Sequence, residues 1–331
     1  MSGDAVRMHR RFAPRWRTVL NLLSILARRL PQLVAVLAGI TIVTFLLLRL
    51  APGDPARLLA GDRANAETIA AIRQQYGLDL PLWRQFLVYV GNLVTGDIGR
   101  SLRFQQPVAD IILRFMWPTL FLAGYVVCLA VPPTIVLAIV GARRPGGLAD
   151  QVIRTFGMVG LAIPVFWLGI MMSRLFGVTL GWFPVSGYGV GFVGHLHHLF
   201  LPALSTAIWM VPVLTQSLRA ALIDRAGADF VTAARAQGAS EREIFWKTIL
   251  PNSVLPTLNL LGVMVAFLVG GTIIVETVYA VPGLGSLMVA ALLGRDYYVV
   301  QGLTLVFALA TVLVTLLVDL LTGLIDPRVR T

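Results

Sequence analysis

The stretch DFVTAARAQGASEREIFWKTILP, residues 229–251, decides how this chain is read. It is the longest well-charged segment in the second half of a very apolar sequence. Residues 229–237 predict a short helix with a small-residue face at Ala233, Ala234 and Ala236. Gly238 marks its stop, because glycine takes the left-handed conformation that closes a helix at little cost. Ser240 then opens a second helix. Glu243 follows three residues later, which predicts a capping box in which each side chain satisfies an orphan backbone amide. Ile244, Phe245, Thr248 and Ile249 give this helix an apolar stripe, and Pro251 is expected to end it. The expected product is helix, glycine turn, helix, with hydrophobic segments on both sides.

Working outward, composition sets the class. The chain has 331 residues, of which 57% are hydrophobic and 13% charged. Soluble domains carry about one quarter charged residues, so this is read as an integral membrane protein. The net charge of +11 does not point to nucleic acid. The basic residues flank apolar runs instead of forming one exposed face, which is the pattern of membrane topology and lipid headgroups. The single cysteine, Cys128, lies inside an apolar run, can form no internal disulfide and reads as a small core residue.

Six uncharged runs are long enough to cross a bilayer, which takes about 20 residues. They are residues 31–48, 115–142, 155–173, 199–218, a run within 248–275, and 297–318. Residues 1–29 form a basic N-terminal extension, and 19–30 read as a helix along the membrane surface. The run after it is too long for a signal-peptide core and no small-residue cleavage site follows, so it reads as an uncleaved first span. Pro132, Pro133, Pro164 and Pro212 interrupt several runs. Such breaks occur both as structural kinks and in transporter helices. Six spans and the arginine distribution put both termini and residues 229–251 in the cytoplasm. Residues 51–114 become an external insertion with two helices, 65–76 and 82–93. The second carries an apolar stripe of Trp83, Phe86, Leu87, Val90 and Leu93 that suits an interfacial element covering the bundle.

The loop at 229–251 resembles the EAA loop of ABC-importer permeases. That pattern runs Glu-Ala-Ala, three residues, Gly, nine residues, Ile-x-Leu-Pro. Here Thr232 stands at the Glu position, Ala233, Ala234 and Gly238 are in register, Thr248 replaces Ile, and Leu250 and Pro251 match. The stretches LRLAPGDP (48–55), YGLDLPLWRQFLVYVGNLVTGDIGRSL (76–102), ETVYAVPGLGSL (276–287) and RDYYVVQG (295–302) are similar to the first permease subunit of dipeptide, oligopeptide and nickel importers. The likeness runs from about residue 30 to the terminal IDPRVR (325–330). It implies an all-α membrane protein with six transmembrane helices, the type I ABC importer permease fold, in which residues 30–331 form the transmembrane domain with an external helical insertion after the first span. It implies residence in the inner membrane, a homologous second permease, two ABC ATPase subunits that bind ATP and Mg, and an external solute-binding protein. It also implies that Asp229, Thr232, Ala233, Ala234, Arg235, Gly238, Ser240 and Glu241 dock an ATPase. The cargo implied is a short peptide, with nickel, glutathione or another small solute carried by the same scaffold.

No catalytic set stands out. The chain has no P-loop, so ATP hydrolysis falls to the partners, and no G-x-S-x-G or H-E-x-x-H that would support a membrane hydrolase. A gated channel is the other rival, and it would need no ATPase. His195, His197 and His198 lie just before the fourth span. Three imidazoles in four residues suit either a transition metal or an interfacial loop. Glu276 and Asp296 bracket the last external connection, around the turn VPGLG at 281–285. Charges near membrane depth point to function. Glu276, Pro282, Gly283, Gly285 and Asp296 are therefore candidates for an external gate or a binding-protein contact, or for a structural turn in which Glu276 caps backbone amides.

Overall fold

The computed structural model describes residues 15–50, 56–57, 65–75, 77–101 and 103–325. The extension before residue 15, most of LRLAPGDP, Tyr76 and the terminal DPRVR lie outside them. Among the described residues all regular structure is helical, apart from one bridge that pairs Arg100 with Pro107.

Among the described residues five helices are long and apolar enough to cross a membrane, and a bent pair makes a sixth if it counts as one span. The first helix, α1, is Arg15–Leu50. The expected surface helix and the first span are thus one 36-residue helix that runs through Pro31. At about 1.5 Å per residue it is longer than a bilayer core of about 30 Å requires. Two short helices follow. In α2, Ala66–Gln75, the Asn65 Oδ1 accepts from the Thr68 amide at 2.8 Å, which caps the helix. Helix α3, Leu82–Val94, leans on α1 through Phe86 and Tyr89, whose rings lie 5.1 and 5.8 Å from that of Phe45.

The prolines behave unequally. Helix α4, Val108–Arg143, passes through Pro118, Pro132 and Pro133 without interruption. Helix α7, Gly191–Ala226, does the same at Pro202 and Pro212. Among the described residues only Pro164 breaks its span. Helix α5, Leu148–Ala162, and helix α6, Val165–Met172, meet at 94°. Ile163, just before the proline, is extended (φ −85°, ψ 122°), because the proline ring disfavours the α conformation in the preceding residue. A π-helical turn, Ser173–Thr179, continues α6.

After α7 come α8, Asp229–Ala236, and α9, Glu241–Ile244. Pro251 does not end the second helix of this loop. A π turn at Phe245–Ile249 leads directly into α10, Leu250–Gly271. The widened turn sits immediately before the proline, where its ring would otherwise press on the preceding turn, and Asn252 Nδ2 donates to the Thr248 carbonyl at 2.6 Å. The π turn also places Ile244 and Ile249, five residues apart, on one face. Helix α11, Ile273–Val278, and helix α12, Leu284–Leu293, fold back before the last span, α13, Tyr297–Ile325.

Among the described residues three apolar clusters hold the bundle. The largest lies between α4 and α7 and includes Leu122, Val126, Leu201, Met210 and Leu214. A second, at the end where α11 and α12 turn back, joins Val108 and Ile112 to Leu284, Leu287 and Leu303. The third, at the opposite end, gathers Ala138, Leu218 and Leu222 around Val231, Ile244 and Ile249. Lipid is as apolar as leucine, so helices associate here by close fit more than by leaving water. Side chains such as Trp117, Phe267 and Leu313 remain uncovered on the outer surface, as a lipid-facing surface requires, and Cys128, expected in the core, is exposed as well because its position on α4 falls on the uncovered side.

Candidate functional site

Each helix of the 229–251 loop is anchored by few side chains. Val231 on α8 and Ile244 on α9 are buried in the third cluster, and Ala234 and Ala239 pack against it. Asp229, Phe230, Thr232, Ala233, Arg235, Gly238, Ser240 and Glu241 all face outward. The small-residue face is therefore divided, with Ala234 turned in and Ala233 and Ala236 turned out. The turn closes as a Schellman motif. The Gly238 amide donates to the Arg235 carbonyl at 2.9 Å and the Ala239 amide to the Ala234 carbonyl at 3.2 Å. Gly238 has φ +83°, the left-handed conformation expected there.

Ser240 Oγ accepts from the Glu243 amide at 3.3 Å, which is one half of the predicted capping box. The Glu243 carboxylate is engaged elsewhere, accepting from Lys247 Nζ at 2.6 Å. A feature not anticipated from sequence braces the turn. Arg235 donates from Nε and Nη2 to the two carboxylate oxygens of Glu241, at 2.6 and 3.2 Å. This hydrogen-bonded pair holds the Glu241 carboxyl below the usual carboxylate range and raises the Arg235 guanidinium. Both groups are exposed, so the gain is one of orientation more than stability. The result is a two-helix knuckle, braced across its turn, that presents a mixed polar and small-residue surface.

At the other end of the bundle, Glu276 is fully buried. Its Oε1 accepts from Thr119 Oγ1 at 2.7 Å and from Thr272 Oγ1 at 3.0 Å. Its Oε2 accepts from the amides of Gly285 and Ser286 at 2.7 and 3.0 Å. Thr119 also receives the Leu284 amide at 2.8 Å. One carboxylate thus ties α4, α11 and the first turn of α12 together. The irregular part of the predicted VPGLG turn is shorter than expected, since Leu284 and Gly285 already belong to α12. Gly285 is required by space, because a Cβ there would lie 2.5 Å from the Cα of Ile273. Asp296 is likewise buried and accepts from Ser101 Oγ and from the Arg103 amide, the latter at 3.2 Å. It fastens the segment before α4 to the start of α13. Glu276, Gly283 and Gly285 therefore form one packed unit, and Asp296 forms another.

Residues 134–331 match the family described as binding-protein-dependent transport system inner membrane component, and residues 22–123 match its N-terminal counterpart. The chain belongs to this family. It is a permease subunit of an ABC importer, a multi-pass protein of the inner membrane. Over 311 residues it is 36% identical to a protein of Brucella abortus (strain 2308) named as a peptide transport system permease, with 93% of this chain and 99% of the relative covered. It is 37% identical over 309 residues to the glutathione transport system permease protein GsiC of Escherichia coli (strain K12), with 93% and 99% covered. Among solved structures, the MetNI methionine ABC transporter gives a TM-score of 0.51 at 18% identity, covering 65% of this chain and 96% of that one. That likeness concerns the fold.

In this permease the three histidines do not converge. They stand in the opening turns of α7, not before it, and each ring nitrogen meets a different backbone carbonyl. His195 Nδ1 lies 2.8 Å from Tyr188 O, His197 Nε2 2.9 Å from Trp182 O, and His198 Nδ1 2.9 Å from Gly194 O. His195 also stacks on Tyr188, with centroids 3.9 Å apart. They serve the aromatic packing of the connection between α6 and α7. Sequence reading passed over Thr119, Thr272 and Ser101, because a hydroxyl in an apolar run signals nothing until its acceptor is known. It also passed over Asp150 and Arg219, although an acid and a base at the ends of two apolar runs were visible.

Proposed function

We propose that this chain is one of two homologous permeases in an ATP-driven importer of short peptides. Two ATPase subunits would bind ATP and Mg, and an external binding protein would deliver the solute. The observation that carries this reading is the braced knuckle of α8 and α9, an outward-facing two-helix element at the end of the bundle opposite α11 and α12. Its exposed residues, Asp229, Thr232, Ala233, Arg235, Gly238, Ser240 and Glu241, are the docking surface for one ATPase, with Ala234 seating it from behind. Closure of the ATPase pair on ATP would displace the knuckle and reorient the spans between outward- and inward-open states.

The orientation follows from the arginines. Both termini and the knuckle are cytoplasmic, and residues 51–114 are external. The transmembrane domain is residues 30–331, preceded by the basic extension 1–29. Glu276, Pro282, Gly283, Gly285 and Asp296 then lie at the external end, where the folded-back α11–α12 unit closes the pathway or meets the binding protein. Similarity to permeases named for peptides favours a peptide cargo. Glutathione, itself a small peptide, is the second reading, favoured by the similarity to GsiC. The test is reconstitution of the permease pair with its ATPases and binding protein, followed by uptake of a labelled dipeptide and of labelled glutathione. ATP-driven accumulation of the dipeptide supports the proposal. Accumulation of glutathione alone moves it to the second reading, and transport without ATP would make the protein a channel.

A further inference from the structure

Two charged side chains are enclosed among apolar helices just behind the knuckle. Asp150 stands in the first turn of α5 with a side-chain exposure of 0%, and Arg219 stands two turns before the end of α7 with 14%. Arg219 donates from Nε to one carboxylate oxygen of Asp150 and from Nη2 to the other, the latter at 2.6 Å. The Gly146 amide donates to the same Oδ2 at 2.9 Å. Gly141, near the end of α4, leaves room for the pair. A Cβ there would lie 3.3 Å from Arg219 Cδ and 3.4 Å from Asp150 Oδ1. The end of α4, its turn into α5, the start of α5 and the end of α7 meet in this one joint. Leu218 and Leu222, the neighbours of Arg219 on α7, belong to the cluster that seats Val231 and Ile244 of the knuckle.

Breaking a buried ion pair leaves a bare charge without water, which is far costlier than parting an exposed pair. A bidentate guanidinium–carboxylate contact also fixes direction as well as distance. Sliding or twisting between the start of α5 and the end of α7 would have to break this contact. At its far end α5 is interrupted at Ile163–Pro164, where the chain turns by 94°. A stiff joint at one end and a break at the other make α5 a lever with a defined fulcrum. We propose that Asp150 and Arg219 are positioning residues for transport. Through their pair a displacement of the knuckle is delivered to the broken third span, which yields at Ile163–Pro164. This rests on the importer reading.

The test is the ratio of solute accumulated to ATP hydrolysed by the reconstituted importer, measured for wild type, Asp150→Asn, and the double variant Asp150→Leu with Arg219→Met. The double variant removes the charges while keeping apolar bulk, a replacement that buried ion pairs often tolerate in stability. It therefore guards against a variant that simply fails to fold. The expected result is that the double variant assembles with its ATPases in wild-type yield, yet the ratio falls by about tenfold, within the range typical of coupling between separate sites. Asp150→Asn is expected to lower the ratio in the complexes that do form. A wild-type ratio in the double variant overturns the proposal, because the pair would then only fill space. A fall in uptake and hydrolysis in equal proportion overturns it as well, since that reports lost assembly and not lost transmission. If the wild-type complex accumulated no solute with ATP, the importer reading itself would fall, and this inference with it.

Discussion

Replacing Gly238 separates the shape of the knuckle from its connections. The residue has φ +83°, and a Cβ built on it meets no atom within 4 Å. The penalty of a side chain within this chain is therefore purely one of backbone conformation, about 1–2 kcal/mol for most L-residues. It is larger for a β-branched residue and smaller for Asn, which tolerates the left-handed region. Two bonds depend on that conformation, Gly238 to Arg235 and Ala239 to Ala234. A strain of this size shifts the closed turn toward open ones by about 5- to 30-fold. The spans rest on the first two clusters, so Gly238→Val should insert and pair normally while retention of the ATPase drops by up to that factor, since affinity scales with the fraction of closed turns. Gly238→Asn should fall between wild type and Val. The assay is the amount of ATPase recovered with the purified permease pair, together with ATP hydrolysis stimulated by loaded binding protein. Equal recovery for Gly, Asn and Val would refute the reasoning, because the loop would then be no more than a link between the fourth and fifth spans. Equal losses for Asn and Val would mean that side-chain bulk against a partner matters and the dihedral angle does not.

Three further outcomes follow from the same geometry. In a Cys128→Ala background, single cysteines at Ser240 and Asn65 should react with impermeant maleimide from opposite sides of the membrane, and labelling from one side would overturn the six-span orientation. Ala233→Asp, on an exposed position of α8, should change the melting temperature little, since surface substitutions usually stay within about 0.5 kcal/mol; ATPase recovery and uptake should fall, and unchanged uptake would remove Ala233 from the docking face. Gly285→Ala should destabilise the chain by about 1–3 kcal/mol, the cost of overpacking, because its Cβ would meet the backbone of Ile273 at 2.5 Å; a wild-type melting temperature in detergent would show that the α11–α12 unit is looser than this packing.

Much of the architecture was legible because a bilayer imposes a coarse rule. Long uncharged runs must be helices, as no water is present to satisfy a bare backbone. The six runs, the Ala66–Gln75 and Leu82–Val94 helices and the Gly238 turn all follow from local chemistry that a reader of the sequence can apply. What proline does was not legible in the same way. Pro132, Pro133 and Pro212 leave their helices continuous, Pro164 breaks its span, and Pro251 is accommodated by a π turn. The ring has the same chemistry each time, and the outcome depends on what the neighbouring helices accept.

The sequence by itself determined the membrane class and the helix–glycine–helix loop, since each rests on composition, period or spacing along the chain, and its motifs carried the resemblance to the family. Only the tertiary structure decided which charges are partners. Glu276 meets Thr119 across 157 positions, Asp296 meets Ser101 across 195, and Asp150 meets Arg219 across 69. A buried charge must find a partner somewhere, so the sequence can say that each acid has one. Which one it finds depends on how the helices lie against each other, and that arises only when the whole bundle has closed.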